Sequence, residues 1–202
     1  MSRVVMSMKV SGGPVFVNEI SRPTIALLAL SALQIFSNRA GADVAGAGSG
    51  GFEVREQVHV AAPAAAVYAA LIAPNRWWDP KHTYSGDSAR LSLDARAGGC
   101  WCETLPDGGS VQHMTVVFVA PGKALRLHGT LGPLQAMGVT GSMTVSIVPA
   151  GTGADLSLVY AVGGYSKDGF ETLSKAVDSV LSSQVARLQK LVETGSAGPS
   201  AP

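Results

Sequence analysis

The sequence has little charge: 14% of its 202 residues are charged, and the formal net charge is +1. It contains no cluster of lysine and arginine, so nothing predicts a nucleic-acid partner, which a basic patch would attract. Its two cysteines are too few for a scaffold held together by disulfides. With 47% hydrophobic residues, the chain is long enough to bury the core of one ordinary domain.

The sequence also lacks the motifs of the best-known hydrolases and nucleotide-binding proteins. It has no G-x-S-x-G, no H-E-x-x-H, no Walker A sequence and no G-x-G-x-x-G that opens a predicted helix. These absences argue against those classes. We predict no cofactor and, from the cysteines considered below, no bound metal.

No hydrophobic run is long enough for a stable membrane span, which takes about 20 residues. The most apolar run, TIALLALSALQIF at residues 24–36, follows Arg22 and precedes a small-residue AGA at residues 40–42, as in a signal peptide. The long stretch before Arg22, which contains Glu19, departs from that pattern, and a buried N-terminal helix is the alternative. We expect an exported protein, periplasmic or extracellular, with a cytoplasmic one as the alternative.

Composition divides the chain into three parts. Residues 1–51 hold the signal-peptide-like segment and the glycine-rich AGAGSGG at residues 45–51, which predicts a flexible linker. Residues 52–193 are predicted to form one folded domain. Residues 194–202, TGSAGPSAP, are predicted to be a disordered tail.

Hydrophobic periodicity predicts strands and two helices in the folded part. FEVREQVHV at residues 52–60 alternates apolar and polar residues, which predicts a half-buried strand with Glu56 on its apolar face. A short helix follows, and six further strands are predicted at residues 89–95, 99–105, 111–120, 124–131, 142–149 and 155–162. Apolar residues at steps of three and four predict a closing helix at 168–193, with Asp178 and Gln184 pointing away from the core. This order predicts an α+β fold in which a curved antiparallel sheet of about six to seven strands wraps around the long helix.

This order of elements, together with VHVAAPAAAVYAAL at residues 58–71, resembles the START-like or SRPBCC superfamily, whose helix-grip fold is that of the major birch pollen allergen. The small-residue-proline step, a tryptophan after the first helix, PGKALRL at residues 121–127 and the closing helix carry the resemblance over residues 52–193. The chain is most similar to bacterial proteins grouped with polyketide cyclases or with heat-shock-protein ATPase activator homologues. The resemblance implies a cavity between the sheet and the long helix, the usual ligand site, and leaves the chemistry open.

WWDPKHTYSGD at residues 77–87 is the densest group of functional side chains in the sequence. His82 and Tyr84 within it, together with Glu103, are candidate acid/base groups. The alternative is a loop held by buried tryptophans with His82 at the surface. Whether the protein is an enzyme stays open at this point.

Side chains expected to reach the cavity are predicted to bind the ligand. They are Glu56, Trp77, Trp78, His82, Tyr84, Cys100, Cys102, His113, Leu134, Met137 and Tyr160. Glu56 is the carboxylate most expected inside, whereas a solvent-facing position is the common alternative for Glu103. His113 lies in a segment that is apolar on both faces, so we expect it to be partly buried. The glycine-rich but apolar residues 129–141 predict a mobile lid over an apolar opening.

Cys100 and Cys102 flank Trp101 on a predicted strand. Residues two apart share one face with Cα atoms about 6.6–6.8 Å apart, at the limit of what a disulfide spans. We therefore expect two free thiols that act as small hydrophobic side chains in the cavity wall.

A zinc site at the cysteines would need a particular register of the hairpin that follows them. If Thr104 pairs with Val111, His113 lies opposite Cys102 and a partial ligand set forms. If Thr104 pairs with Ser110 instead, Gln112 takes that place. The sequence does not choose between the registers.

We predict from these observations that the protein binds a small hydrophobic molecule under its C-terminal helix. A polyketide cyclase or dehydrase-like enzyme that uses acid/base residues of the cavity is the first alternative. A protein-interaction module of the chaperone ATPase activator type is the second.

Overall fold

The computed structural model describes residues 41–199. Their strands are β1 (Gly41–Gly48), β2 (Gly51–Val60), β3 (Leu91–Leu93), β4 (Cys100–Thr104), β5 (Ser110–Ala120), β6 (Ala124–Gly129), β7 (Val139–Ala150) and β8 (Gly153–Gly164). The helices are α1 (Ala64–Leu71) and α2 (Glu171–Thr194). Short 3-10 turns occupy Pro74–Arg76, Pro80–His82, Ser88–Arg90, Pro106–Gly108 and Gly132–Ala136. The predicted signal peptide lies outside the described residues and stays a prediction.

The eight strands form one antiparallel sheet in the order β1-β2-β8-β7-β6-β5-β4-β3. Helix α2 packs against β1 and β2, and α1 packs against α2. The α+β helix-grip architecture, with a curved sheet around a long C-terminal helix, is confirmed, with a strand count slightly above the predicted six to seven. Within residues 41–199, neither helix combines the length and the hydropathy that crossing a bilayer requires.

The additional strand, β1, includes residues 45–48 of the predicted flexible linker, so the prediction of flexibility is wrong for those residues. Its backbone pairs with β2, and Gly48 lies opposite Gly51 across the connecting turn. A Cβ atom on Gly51 would collide with the carbonyl oxygen of Val162 on β8, so glycine is required where the chain enters β2. Backbone hydrogen bonds of an edge strand need no buried side chain, which explains why a glycine-rich stretch can form one.

The segment after α2 also differs from the prediction of a disordered tail. Gly195 ends the helix in the left-handed conformation, with φ at 81°, and its N–H donates to the carbonyl of Leu191 at 2.8 Å. Arg187 then donates to the carbonyls of Gly198 at 3.2 Å and Pro199 at 2.7 Å. Residues 195–199 therefore fold back along α2, and residues 200–202 lie outside the described part.

The core lies between the concave face of the sheet and α2. On β2 the predicted alternation is confirmed, and Glu56 is buried with its apolar neighbours on the inner face. Two predictions for α2 are wrong. Gln184 is 1% exposed rather than solvent-facing, and Asp178 lies close enough to Glu56 to affect its pKa.

Candidate functional site

The space between the sheet and α2 has two ends, and the end beside the C-terminal half of α2 is filled. Trp77, Trp78 and Trp101 pack there, with ring centroids 5.4 Å apart for the first two and 5.0 Å apart for the last two. The remaining void has a volume of about 20 Å³, which is room for about one water molecule. We call this region the closed end.

The other end contains a cavity of about 460 Å³, and we call it the open end. The N-terminal half of α2 forms one wall with Leu173, Val177 and Val180. Trp78 and residues 81–84, after α1, form a second wall, and residues 131–134, between β6 and β7, form a third. Tyr160 on β8 completes the lining from the sheet. Apolar groups dominate the walls, as in typical small-molecule sites.

A buried glutamine fixes the wall at residues 78–84 to α2. The side-chain oxygen of Gln184 accepts a hydrogen bond from the backbone N–H of Asp79 at 2.8 Å. Its amide nitrogen lies 3.2 Å from His82 Nδ1, and Trp78 Nε1 donates to the His82 carbonyl at 3.0 Å. These bonds satisfy polar groups that would otherwise be costly to bury.

Tyr84 connects two walls of the cavity. Its hydroxyl donates to the carbonyl of Gly132 at 2.8 Å, so residues 81–84 and 131–134 are joined across the opening. The side chain is nevertheless 52% exposed, which places it at the rim.

Behind Tyr84 lies a buried pair formed by Glu103 and His113, with Nε2 of the histidine 3.0 Å from the carboxylate. The carboxylate also accepts from the backbone N–H groups of Ser85 at 2.5 Å and Tyr84 at 3.2 Å. Burial alone raises the pKa of Glu103, but these hydrogen bonds together outweigh it and hold the pKa below its ordinary value. Burial lowers the pKa of His113, although Glu103 opposes this. The pair therefore anchors the residue 84–85 backbone.

Glu56 is 3% exposed, and its Oε1 has no hydrogen-bond partner within the described structure. Burial, and secondarily the charge of Asp178 on α2, raise the pKa of Glu56 from 4.5 to about 7. The carboxyl does not line the open-end cavity.

The prediction of two free thiols in the cavity wall is wrong, because the structure joins Cys100 and Cys102 in a disulfide. A β-bulge between Trp101 and Cys102 shortens the Cα–Cα distance between the cysteines to 5.4 Å, within disulfide range. Trp101 and Glu103 occupy the inner face of β4, so the half-buried cysteines lie on the outer face. The bulge therefore brings the two cysteines closer together than they would be on a regular strand.

Of the two registers considered for the hairpin of β4 and β5, the structure has the one in which no histidine lies opposite Cys102. Thr104 pairs with Ser110, and Gln112 lies opposite Cys102. His113 is on the inner face instead, 6% exposed and paired with Glu103. Its expected burial is confirmed, and the solvent-facing alternative for Glu103 is wrong, since that side chain is 0% exposed.

Of the residues predicted to bind the ligand, a subset meets at the open end. They are Trp78, His82, Tyr84, Leu134 and Tyr160. Trp77 borders the closed-end void instead, while Met137 borders neither space. Glu56, His113 and the two cysteines do not line the cavity either.

Sequence reasoning missed the contribution of α2 to the cavity. Leu173, Ala176, Val177 and Val180 line it, whereas larger leucines dominate the core-facing positions of the C-terminal half. The smaller side chains of Ala176, Val177 and Val180 in the N-terminal half of α2 were the available signal.

Comparisons with known proteins agree with this architecture. The family model described as polyketide cyclase / dehydrase and lipid transport matches residues 51–193. Protein EF2215 from Enterococcus faecalis is similar in structure, with a TM-score of 0.56 and 16% identity over 81% of this chain and 82% of that one. Protein CV1439 from Chromobacterium violaceum is also similar in structure, with a TM-score of 0.51 and 21% identity over 70% of this chain and 96% of that one.

The Aha1 dimer from Colwellia psychrerythraea is similar as well, with a TM-score of 0.50 and 14% identity over 71% of this chain and 97% of that one. At these identities the likenesses show the fold alone. No curated protein matches the chain.

Proposed function

Because the chain belongs to the polyketide cyclase / dehydrase and lipid transport family, we propose that it binds a small, mainly apolar molecule in the open-end cavity. The observation that carries the proposal is the cavity of about 460 Å³ between α2 and the two loops. Its volume is within the range of about 300–1,000 Å³ that is typical of small-molecule sites, and its walls are mainly apolar. Transfer of an apolar ligand from water to such walls is favourable in proportion to the area buried.

The arrangement of polar groups supports binding over catalysis. An acid/base enzyme needs two titratable groups that reach one reacting atom. His82 Nδ1 lies against Gln184, the Tyr84 hydroxyl bonds Gly132, and the Glu103 carboxylate is occupied by the backbone behind Tyr84. The three candidate catalytic residues therefore act in this proposal as cavity wall, rim and support.

One observation favours the alternative of a protein-interaction module. Val117 and Phe118 are adjacent on β5 and 48% and 45% exposed, outside the cavity. Phe118 is partly covered, since the Arg126 guanidinium lies 5.5 Å from its ring centroid. Two side chains make a smaller patch than stable partners usually bury, so ligand binding remains the proposal.

We also propose that the protein is exported to the periplasm or the extracellular space. The apolar segment at residues 24–36 motivates this. A half-buried disulfide on the outer face of the sheet supports it, because disulfides persist mainly in oxidising compartments. Sequencing the N-terminus of the mature protein tests the proposal. Cleavage near residue 42 is expected, and an intact N-terminus preceding residue 22 would contradict it.

Native mass spectrometry of protein purified from its own host tests ligand binding. We expect the wild type to carry a non-covalent molecule that dissociates at raised collision energy. A Val177→Trp variant, which fills the open end, should lack it, while a Val117→Trp variant on the outer face should retain it. Recovery of the wild type without a ligand, or equal loading of the Val177 variant, would contradict the proposal.

A further inference from the structure

The polar groups that line the open end differ in whether they have hydrogen-bond partners. The Thr83 hydroxyl donates to the carbonyl of Pro80 at 2.8 Å, and the Tyr84 hydroxyl donates to Gly132 at 2.8 Å. The Tyr160 hydroxyl has no partner within the described part of the chain. Among the cavity-lining hydroxyls, this one alone is left without a bond in the region described.

Tyr160 is held rigidly by the sheet. It pairs with Val54 on β2 and with Met143 on β7, and its side chain is 0% exposed. Its ring extends over Gly141, where a Cβ atom would come within 2.8 Å of Tyr160 Cε2. Glycine at this position therefore makes room for the ring and directs the hydroxyl towards residues 131–134.

The hydroxyl lies next to Leu131, whose backbone approaches it without a well-directed hydrogen bond. A buried hydroxyl without a partner is costly, and native proteins rarely keep one unless a ligand or water uses it. Because the hydroxyl is covered in this structure, residues 131–134 would have to shift for a ligand atom to reach it. That segment contains Gly132, which adopts a left-handed φ of 53°, and the sequence predicts that it moves.

We propose that Tyr160 is the residue that determines ligand specificity, and that it donates a hydrogen bond to a neutral oxygen on an otherwise apolar ligand. This inference rests on the proposed binding function and names its ligand class. A neutral oxygen is preferred over a carboxylate because Glu56 is the diagonal neighbour of Tyr160 on the inner face, where Val54 pairs with Tyr160 and Leu158 with Glu56. An anion placed there would be desolvated and would face a second acidic group.

Equilibrium binding of three matched fluorescent probes tests the inference: acetylanthracene, ethylanthracene and anthracenecarboxylate. The wild type should bind the ketone about tenfold more tightly than the hydrocarbon, the effect of one net hydrogen bond. It should bind the carboxylate most weakly. Tyr160→Phe should lower the affinity for the ketone about tenfold and leave the affinity for the hydrocarbon unchanged, so that the preference for the ketone disappears.

Tyr68→Phe is the matched control, because Tyr68 lies on α1 and does not line the cavity. It should retain the wild-type preference for the ketone. Thermal unfolding of Tyr160→Phe should match or exceed that of the wild type, since the substitution removes a hydroxyl without a partner.

The outcomes separate the two proposals. If the wild type binds ketone and hydrocarbon equally, or if Tyr160→Phe retains the preference, the inference about Tyr160 is wrong while the binding function stands. If the carboxylate binds most tightly, the assignment of a neutral ligand is wrong. If the wild type binds none of the probes and carries no ligand from its host, both proposals are contradicted.

Discussion

The closed and open ends of the molecule share one sheet and one helix, yet one is packed and the other is hollow. At the closed end three tryptophans leave a void of about 20 Å³, whereas the open end holds a cavity of about 460 Å³. Along α2, Val185 and Leu188 face the closed end, and Leu181 borders both spaces. Leu173, Ala176, Val177 and Val180 face the open end. The position of the cavity therefore follows from where the large side chains are, on a fold that would allow it along the whole helix.

Unpaired polar groups occur at both ends, since Trp101 Nε1 at the closed end has no hydrogen-bond partner within the described structure. Gln184 borders the closed-end void, accepts a hydrogen bond from the Asp79 backbone N–H, and contacts His82 in the wall of the open end. At the open end the Tyr160 hydroxyl keeps no partner. Four substitutions test how packing and buried charges contribute in the two regions, in order of their expected effect on the free energy of unfolding.

Trp101→Ala should have the largest effect. It removes the ring that contacts Trp78 at the closed end, and a cavity of that size costs about 3–5 kcal/mol of unfolding free energy. Urea denaturation followed by circular dichroism measures the loss. Val180→Ala at the open end is the comparison and should cost about 1 kcal/mol or less. Equal losses would show that the two ends do not differ in packing.

Glu56→Gln should stabilise the protein, and its effect should depend on pH. The pKa of Glu56 is raised from 4.5 to about 7 by burial and by Asp178, so the wild type loses stability as the pH rises through this interval. At a pH above about 7 the full loss, about 3 kcal/mol, is present, and glutamine avoids it because it does not ionise.

Urea denaturation at several pH values checks this expectation, with exposed Glu171→Gln as the control. The advantage of the Glu56 variant should disappear below about pH 4.5. An advantage that is constant with pH would show that ionisation of Glu56 is not its source.

Glu103→Gln should destabilise the protein by about 2 kcal/mol at neutral pH, because it removes the charge from hydrogen bonds to Ser85, Tyr84 and His113. Since those bonds hold the pKa of Glu103 below its ordinary value, their stabilisation is present above about pH 4.5 and is lost as the pH falls through the folded-state pKa. Urea denaturation at neutral and acidic pH should therefore show a smaller difference in acid. If the stability difference between the wild type and the Glu103 variant grew at acidic pH, the stabilising role of the charged Glu103 carboxylate would be contradicted.

Val177→Phe should have the smallest effect on stability and a large one on binding. The added ring occupies open space at the cavity wall, so unfolding free energy should change by about 1 kcal/mol or less. Affinity for ethylanthracene should fall at least about tenfold. Val117→Phe on the exposed outer face of β5 should change neither quantity. Unchanged probe affinity in the Val177 variant would place the binding site elsewhere.

Most of the fold could be predicted from hydrophobic periodicity and turn residues. The alternation in β2 correctly placed Glu56 on the inner face, and the three-and-four spacing located α2 within a few residues. Strand β1 could not be predicted, because an edge strand that buries few side chains has no alternation to detect. The bulge at Trp101 was equally hidden, since both faces of that segment carry apolar residues.

The candidate site was predictable in part. The tryptophan-rich segment did supply a cavity wall through Trp78 and residues 81–84. Gln184 was assigned to the solvent face because it is polar, whereas its partners lie more than a hundred residues earlier in the chain. Whether the space between the sheet and α2 is filled depends on the combined volume of side chains from several distant segments. No local sequence pattern indicates that combined volume.

A crystal structure of the protein soaked with bromoanthracene would locate the bound molecule without any assumption about affinity or natural ligand. We predict an anomalous bromine peak at the open end, between Val177 on α2 and residues 131–134, with the closed end unchanged. A peak next to Trp101, on the outer face near Phe118, or at no position within the domain would contradict the proposal that the open end is the binding site.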